Sequence, residues 1–244
     1  MIVVTGMHRS GTSLAALVLR SLGADFGPDD RLYDADRWNA NGYLERVDAV
    51  DCNSRMITGH ARTTGRVDAV RSQIGYLRMP DAGAVAARAA AMTNERTALA
   101  EELRGLFVKD PRFCITMPQW DSTTRGLVVA LRHPSASVAS LRRRNRLPER
   151  MGHAFWRWHM QTVLPHIGTD TLVIRQDLLT GPTHHDEVAR IRRWLDGVAG
   201  VATTDPADEV IDTSLVHHAP SDDGVPTASL ELWDRLLAAP AWAG

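Results

Sequence analysis

Apolar positions along the chain fall into two kinds of block. Short, dense apolar runs at 2–5, 106–108, 127–131 and 172–174 are bounded by polar residues and read as buried strands. Longer stretches in which apolar and polar residues recur every three to four positions predict helices. They lie at 11–23, 45–58, 84–104, 135–145, 149–166, 184–198 and 230–237. The alanine-rich stretch 84–104 is the clearest, with Gly105 as its stop. Segments 24–44, 59–83 and 199–225 have turn residues or weak periodicity and read as loops, the second also as a lid. Strands that alternate with helices predict the α/β class: a single domain over 1–244, with a central parallel sheet flanked by helices. Sites in such sheets lie beyond the carboxyl ends of the strands.

The first strand runs into Gly6-Met7-His8-Arg9-Ser10-Gly11-Thr12-Ser13 and then into a helix. Strand, glycine loop and helix form an anion cradle, because loop N–H groups and the positive helix end face one point. Gly6, Gly11 and Ser13 keep the Walker A spacing, but Thr12 stands where that pattern has its lysine. That lysine reaches the β- and γ-phosphates of a triphosphate. The loop therefore suits a different phosphate-bearing donor, with Arg9 as its cation and His8 as a second group that can touch an anion. A glycine turn that binds nothing is the bland alternative.

Three further patterns follow strands or the first helix. Phe107-Val108-Lys109-Asp110-Pro111-Arg112 puts Lys109 and Asp110 at the mouth of the site, with Pro111 fixing the turn. An ammonium there can stabilise charge growing on a leaving oxygen; pairing of Lys109 with Asp110 is the structural alternative. Arg132-His133-Pro134 ends another strand, with Ser140 eight residues on and Arg144 one helical turn further. An arginine and a hydroxyl suit a phosphate monoester, whereas Arg142 and Arg143 read as a solvated face. His133 can also touch an anion. In Asn41-Gly42-Tyr43-Leu44-Glu45, Glu45 reads either as a general base or as an acid on its helix dipole.

Composition narrows the partners. The net charge of −1 gives no bulk attraction to nucleic acid or to anionic membrane. No apolar stretch approaches the length of a membrane span. The chain enters its glycine loop at once, so no signal peptide is expected. Cys52 and Cys114 are too few for a disulfide framework or a zinc site and read as buried thiols in a reducing compartment, which makes a cytoplasmic location the simplest expectation. The histidines show no metal-ligand spacing, and no metal is assigned. Every basic residue of the Lys/Arg type is arginine except Lys109, as if a compact ammonium were wanted there; chance is the bland alternative.

These motifs together resemble those of sulfotransferases that use 3′-phosphoadenosine 5′-phosphosulfate (PAPS). Arg9-Ser10-Gly11-Thr12 and Ala136-Ser137-Val138 look most like the tyrosylprotein and bacterial branches. The resemblance spans roughly residues 2–180 and is patchy between motifs. It implies a P-loop NTPase-like sulfotransferase fold and PAPS as co-substrate. Ser10, Gly11, Thr12 and Ser13, with His8 and Arg9, would bind the 5′-phosphosulfate. Arg132 and Ser140, with Arg144, would bind the 3′-phosphate. Glu45, Lys109 and Arg9 would serve catalysis on a small-molecule, glycan or lipid-linked hydroxyl, less readily an amine. The Gly-rich segment that closes over the nucleotide in cytosolic sulfotransferases has no counterpart in 199–244, so closure is expected from 59–83 or 205–220. A P-loop small-molecule kinase using Ser13 and Asp110 on magnesium is the alternative enzyme. A non-catalytic nucleotide-binding module is the alternative outside enzymes.

Overall fold

The computed structural model describes residues 1–34, 42–63, 65–204 and 220–243. Strand β1 (Ile2–Thr5) leads through the glycine loop into helix α1 (Thr12–Ser21). Helices α2 (Val47–Thr58), α3 (Arg66–Leu77), α4 (Ala82–Ala91) and α5 (Thr93–Glu102) follow before β2 (Phe107–Lys109). Then come α6 (Phe113–Thr116), β3 (Gly126–Leu131), α7 (Pro134–Asn145), α8 (Glu149–Val163) and β4 (Leu172–Arg175). Helices α9 (Gln176–Leu179), α10 (His184–Trp194) and α11 (Thr227–Leu237) complete the described chain.

The four strands form one parallel sheet in the order β2-β1-β3-β4. Side chains alternate across it. Val3, Val108, Val129 and Leu131 enter a core with α2, α6 and α8, whereas Ile2, Val4, Val128 and Ile174 enter a second core with α1 and α10. Burial on both faces explains the unbroken apolar runs of the strands. The α/β class and the parallel sheet read from the sequence are borne out. The chain passes from β1 to β2 on one side and returns to β3 on the other, so the order reverses at β1. The loops after β1 and β3 flank this crevice, where α/β sheets hold ligands.

Two expectations fail. Segment 59–83 is not simply a loop, because α3 occupies its middle and α4 begins at its end. Its buried face is Ser72 and Tyr76 while Val67, Val70 and Ile74 point to solvent, so its hydrophobic pattern is inverted and weak. The stretch 84–104 is not one helix. It breaks at Met92, whose backbone leaves the helical region (φ −109°, ψ 17°) to end α4 and open α5. Asp81 caps α4 by accepting the Ala84 N–H at 2.8 Å, two residues earlier than the composition suggested. Among the described residues no helix is long and apolar enough to cross a membrane.

Candidate functional site

Gly6 and Gly11 shape the loop in ways no other residue could. Gly6 has φ +146°, and a Cβ there would come within 2.3 Å of the Ala130 carbonyl oxygen on β3. Gly11 has φ +89° and opens α1 with no side-chain cap. Between them Arg9 sits in the left-handed region (φ 73°), a costly conformation for a side chain that bulky. The N–H of Ser10 closes the turn onto the Met7 carbonyl at 3.0 Å. The Ser10 hydroxyl is buried and has no hydrogen-bond partner among the described residues.

The third motif converges on this loop. Arg9 Nε donates to Ser140 Oγ at 3.0 Å, and Arg132 Nη1 donates to the Arg9 carbonyl at 3.3 Å. Pro134 starts α7 at its first position and directs the Ser140 face toward the loop. Burial, and then the Arg9 guanidinium, lower the Arg132 pKa, and Arg132 Nε has no partner among the described residues. Two guanidiniums and a hydroxyl thus meet at one end of the cradle.

Lys109 closes the other end. Its ammonium, almost fully buried, donates to Glu45 Oε1 at 2.6 Å, to the Tyr43 carbonyl at 3.0 Å and to Ser13 Oγ at 3.2 Å. The lysine missing from the loop is therefore replaced in space by one from the next strand. Glu45 is held by an antiparallel bridge between Leu32 and Arg46 and by the Tyr33 N–H donating to its own carbonyl at 2.9 Å. It precedes α2 and is the partner of Lys109, so the dipole-stabilising reading does not describe it. The Tyr43 ring lies between two cations, 5.7 Å from Lys109 Nζ and 6.0 Å from Arg144 Cζ, and its hydroxyl accepts from Arg144 Nη2 at 3.1 Å.

Two sequence expectations, for Asp110 and His133, are corrected here. Asp110 does not project at the mouth. It turns inward, fully buried, and accepts from the Arg112 N–H at 3.0 Å, Arg112 Nη1 at 2.8 Å and Asn53 Nδ2 at 2.9 Å. The strand's alternation sends Lys109 and Asp110 to opposite sides, and Arg112, two residues on, takes the carboxylate. His8 does not add a charge to the cradle. Burial, then Arg112 and His159, hold its pKa well below the usual imidazole range, and its ring packs against Tyr76, Phe155 and His159. His133 faces away from the loop, toward Asp222 at 3.1 Å and the Trp233 ring. Trp38, Asn41 and His217 lie outside the described residues, as does most of segment 205–220. Cys52 and Cys114 are buried free thiols, their pKa values pushed up to about 12, first by burial.

A cavity of about 280 Å³ opens beside Arg9. Its walls include His8, Arg62, Tyr76, Leu141, Arg144 and Phe155, from α3, α7, α8 and the loop. Glu45 is not among its lining residues. Tyr76 is fixed by donating its hydroxyl to His159 Nε2 at 2.5 Å, while His159 Nδ1 donates to the Phe155 carbonyl at 2.8 Å. Sequence reading missed this wall because α3 itself was missed. Among the described residues no group of three or more His, Cys, Asp or Glu is placed to hold a metal ion.

No protein-family model matches the chain, and no curated protein matches it. Among solved structures, the chain is similar to the sulfotransferase domain of the olefin synthase from Synechococcus PCC 7002. The two share 15% identity with a TM-score of 0.48, over 97% of this chain and 94% of that one.

Proposed function

We propose that this protein is a sulfotransferase that moves a sulfuryl group from PAPS to an acceptor hydroxyl. The observation that carries the reading is the meeting of Arg9, Arg132 and Ser140, from three separate elements, beside the glycine loop. A triphosphate has no phosphate monoester for such a group to hold, whereas PAPS carries one at its 3′ position. The residues fit the co-substrate. Arg132 Nε and Ser10 Oγ are buried donors without partners among the described residues, and Gly6 leaves room for backbone approach. Asp110, the carboxylate that a kinase would turn toward magnesium, is spent on Arg112 and Asn53 instead.

On this reading the loop amides of residues 10–13 bind the 5′-phosphate end, and Arg132 and Ser140 bind the 3′-phosphate. Arg144, near Tyr43, borders the same group. Arg9 and Lys109 face the sulfuryl oxygens and the bridging oxygen. The acceptor oxygen forms its bond to sulfur in line as the bond from sulfur to the bridging oxygen breaks. The leaving electron pair stays on the 5′-phosphate of adenosine 3′,5′-bisphosphate, where the Lys109 ammonium meets the new charge. The acceptor's proton passes to the Glu45 carboxylate. His8 is the second candidate for that proton by position alone, because it lines the cavity. Small-molecule, glycan and lipid-linked hydroxyls all remain acceptors of the right chemistry.

Thermal denaturation with ligands tests the proposal. At a hundred times its Kd, adenosine 3′,5′-bisphosphate should stabilise by about 2.7 kcal/mol. For a chain of this size that is a rise of roughly 5–10 °C in Tm. Adenosine 5′-phosphosulfate, which lacks the 3′-phosphate, should shift Tm less. A larger shift with magnesium ATP than with the bisphosphate would replace this reading by the kinase.

A further inference from the structure

The cavity beside Arg9 has a composition that selects its occupant. One wall is apolar and ring-rich: Tyr76 and Phe155 stand edge to face with centroids 5.1 Å apart, flanked by Leu77, Leu141 and Leu147. The polar lining is Arg9, Arg62, Arg144, Gln73, Asn145 and His8, and no Asp or Glu stands among the described lining residues. Arg62 is the informative member. Its backbone N–H donates to Asp51 Oδ1 at 2.8 Å, but its guanidinium makes no ion pair or hydrogen bond among the described residues. It also borders the small void lined by Ser54, Ser72, Tyr76 and Arg112. Ser54 Oγ in that void is buried and has no partner among the described residues. The nearby Arg112 guanidinium lowers the Arg62 pKa.

Three guanidiniums, from Arg9, Arg62 and Arg144, border one cavity whose described lining holds no carboxylate, an arrangement that suits an anion. The aromatic and leucine wall adjoining it suits a flat apolar body.

We propose that the acceptor is an aryl or alicyclic alcohol carrying its own carboxylate or comparable anion. Arg62 grips the anion, Tyr76 and Phe155 flank the ring, and the hydroxyl points to Arg9. The identification as an acceptor rests on the sulfotransferase reading; the ligand class rests on the cavity alone. The anion, unlike the reacting hydroxyl, is far from the transferred group and serves specificity.

The test uses donor-free protein and a matched pair of probes, 4-hydroxyphenylacetate and its amide, with binding measured by calorimetry. The acid should bind about tenfold or more tightly than the amide, the factor one charge-assisted hydrogen bond supplies. Arg62→Gln should bring the two affinities within about twofold, and Arg62→Lys should restore part of the gap. Arg62 is exposed, so these variants keep the fold, and their affinity for adenosine 3′,5′-bisphosphate should match the parent. Equal affinity of acid and amide for the parent overturns the proposal. So does a preference that survives Arg62→Gln, or no saturable binding of either probe. If the acid preference holds but the bisphosphate fails to bind, the pocket assignment stands and the sulfotransferase reading falls. If the bisphosphate binds and the preference is absent, the reverse is true.

Discussion

Replacing Lys109 by Met keeps the length of the side chain and removes its charge. In the folded protein this leaves Glu45, only 14% exposed, without its ammonium and strips donors from Ser13 Oγ and the Tyr43 carbonyl. Breaking a buried ion pair from one side costs about 3–5 kcal/mol when the remaining charge is fully buried. Glu45 keeps some water, so the lower end applies, about 3 kcal/mol. For a chain of this size that is a fall of roughly 6–12 °C in Tm. Lys109→Met with Glu45→Gln leaves no orphan charge and should recover about 1–2 kcal/mol of the loss. Urea denaturation of the parent, both single variants and the double variant closes the cycle, with the slope m checked for constancy. A loss below about 1 kcal/mol for Lys109→Met would refute the buried pair, since surface pairs have that size. Additive single and double effects would refute it equally.

Further outcomes follow from other parts of the site. Gly6→Ala should abolish ligand-induced stabilisation, because its Cβ would collide with the Ala130 carbonyl; a parent-like ligand shift would show that the loop is not the cradle. Arg132→Ala and Ser140→Ala should weaken adenosine 3′,5′-bisphosphate by about 1.5–3 kcal/mol and leave ligands lacking the 3′-phosphate nearly unchanged, as titration calorimetry would detect. Glu45→Gln should lower turnover by about 10²–10⁴-fold with donor affinity retained. If His8→Asn has that effect instead, the imidazole takes the proton. Burial holds the folded His159 pKa at about 3, against 6.5 for the free side chain, so the unfolded chain takes up the proton first as pH falls. The stability contribution of this neutral histidine is whole above pH 6.5, and ~2 kcal/mol of it is lost by pH 5. The His159→Gln variant should show a shallower fall in Tm over that range; an unchanged slope would remove His159 as the cause.

The four strands and their parallel pairing were legible because burial on both faces leaves runs that are apolar but for Thr5. The meeting of Arg132 and Ser140 beside the loop was legible for a related reason: both are fixed in register by a strand end, Pro134 and helix periodicity. What failed was local. The break at Met92 carries no glycine or proline, and a run of alanines tolerates it without a change of pattern. Helix α3 was hidden because it buries Ser72 and Tyr76 against the site and exposes valine and isoleucine, the opposite of an ordinary amphipathic helix. With α3 went its part of the cavity wall and the Tyr76–His159 bond. Contacts between residues far apart in sequence, such as Lys109 with Ser13 and Glu45, are products of topology and leave no mark in spacing.

The lone lysine shows how topology and side-chain chemistry act together. Thr12 takes the loop position at which a Walker lysine would stand, so a cation at this end of the cradle must come from another element. β2 lies next to β1 in the sheet, and its last residue, Lys109, is carried to the same height as the loop. Three oxygens surround it, from a hydroxyl, a carbonyl and a carboxylate on different segments. An ammonium has three donors that splay from one centre and can meet all three. A guanidinium has its donors in one plane and needs more room than a nearly closed pocket offers. Arginine serves elsewhere in this chain, mostly on surfaces, and where it is buried, as at Arg46 and Arg112, its fork meets a single carboxylate. The exception falls where the cation is buried, its partners are not coplanar, and one of them, Ser13, belongs to the loop itself. Lys109 therefore joins the loop to Glu45, so that loop and carboxylate share one anchor.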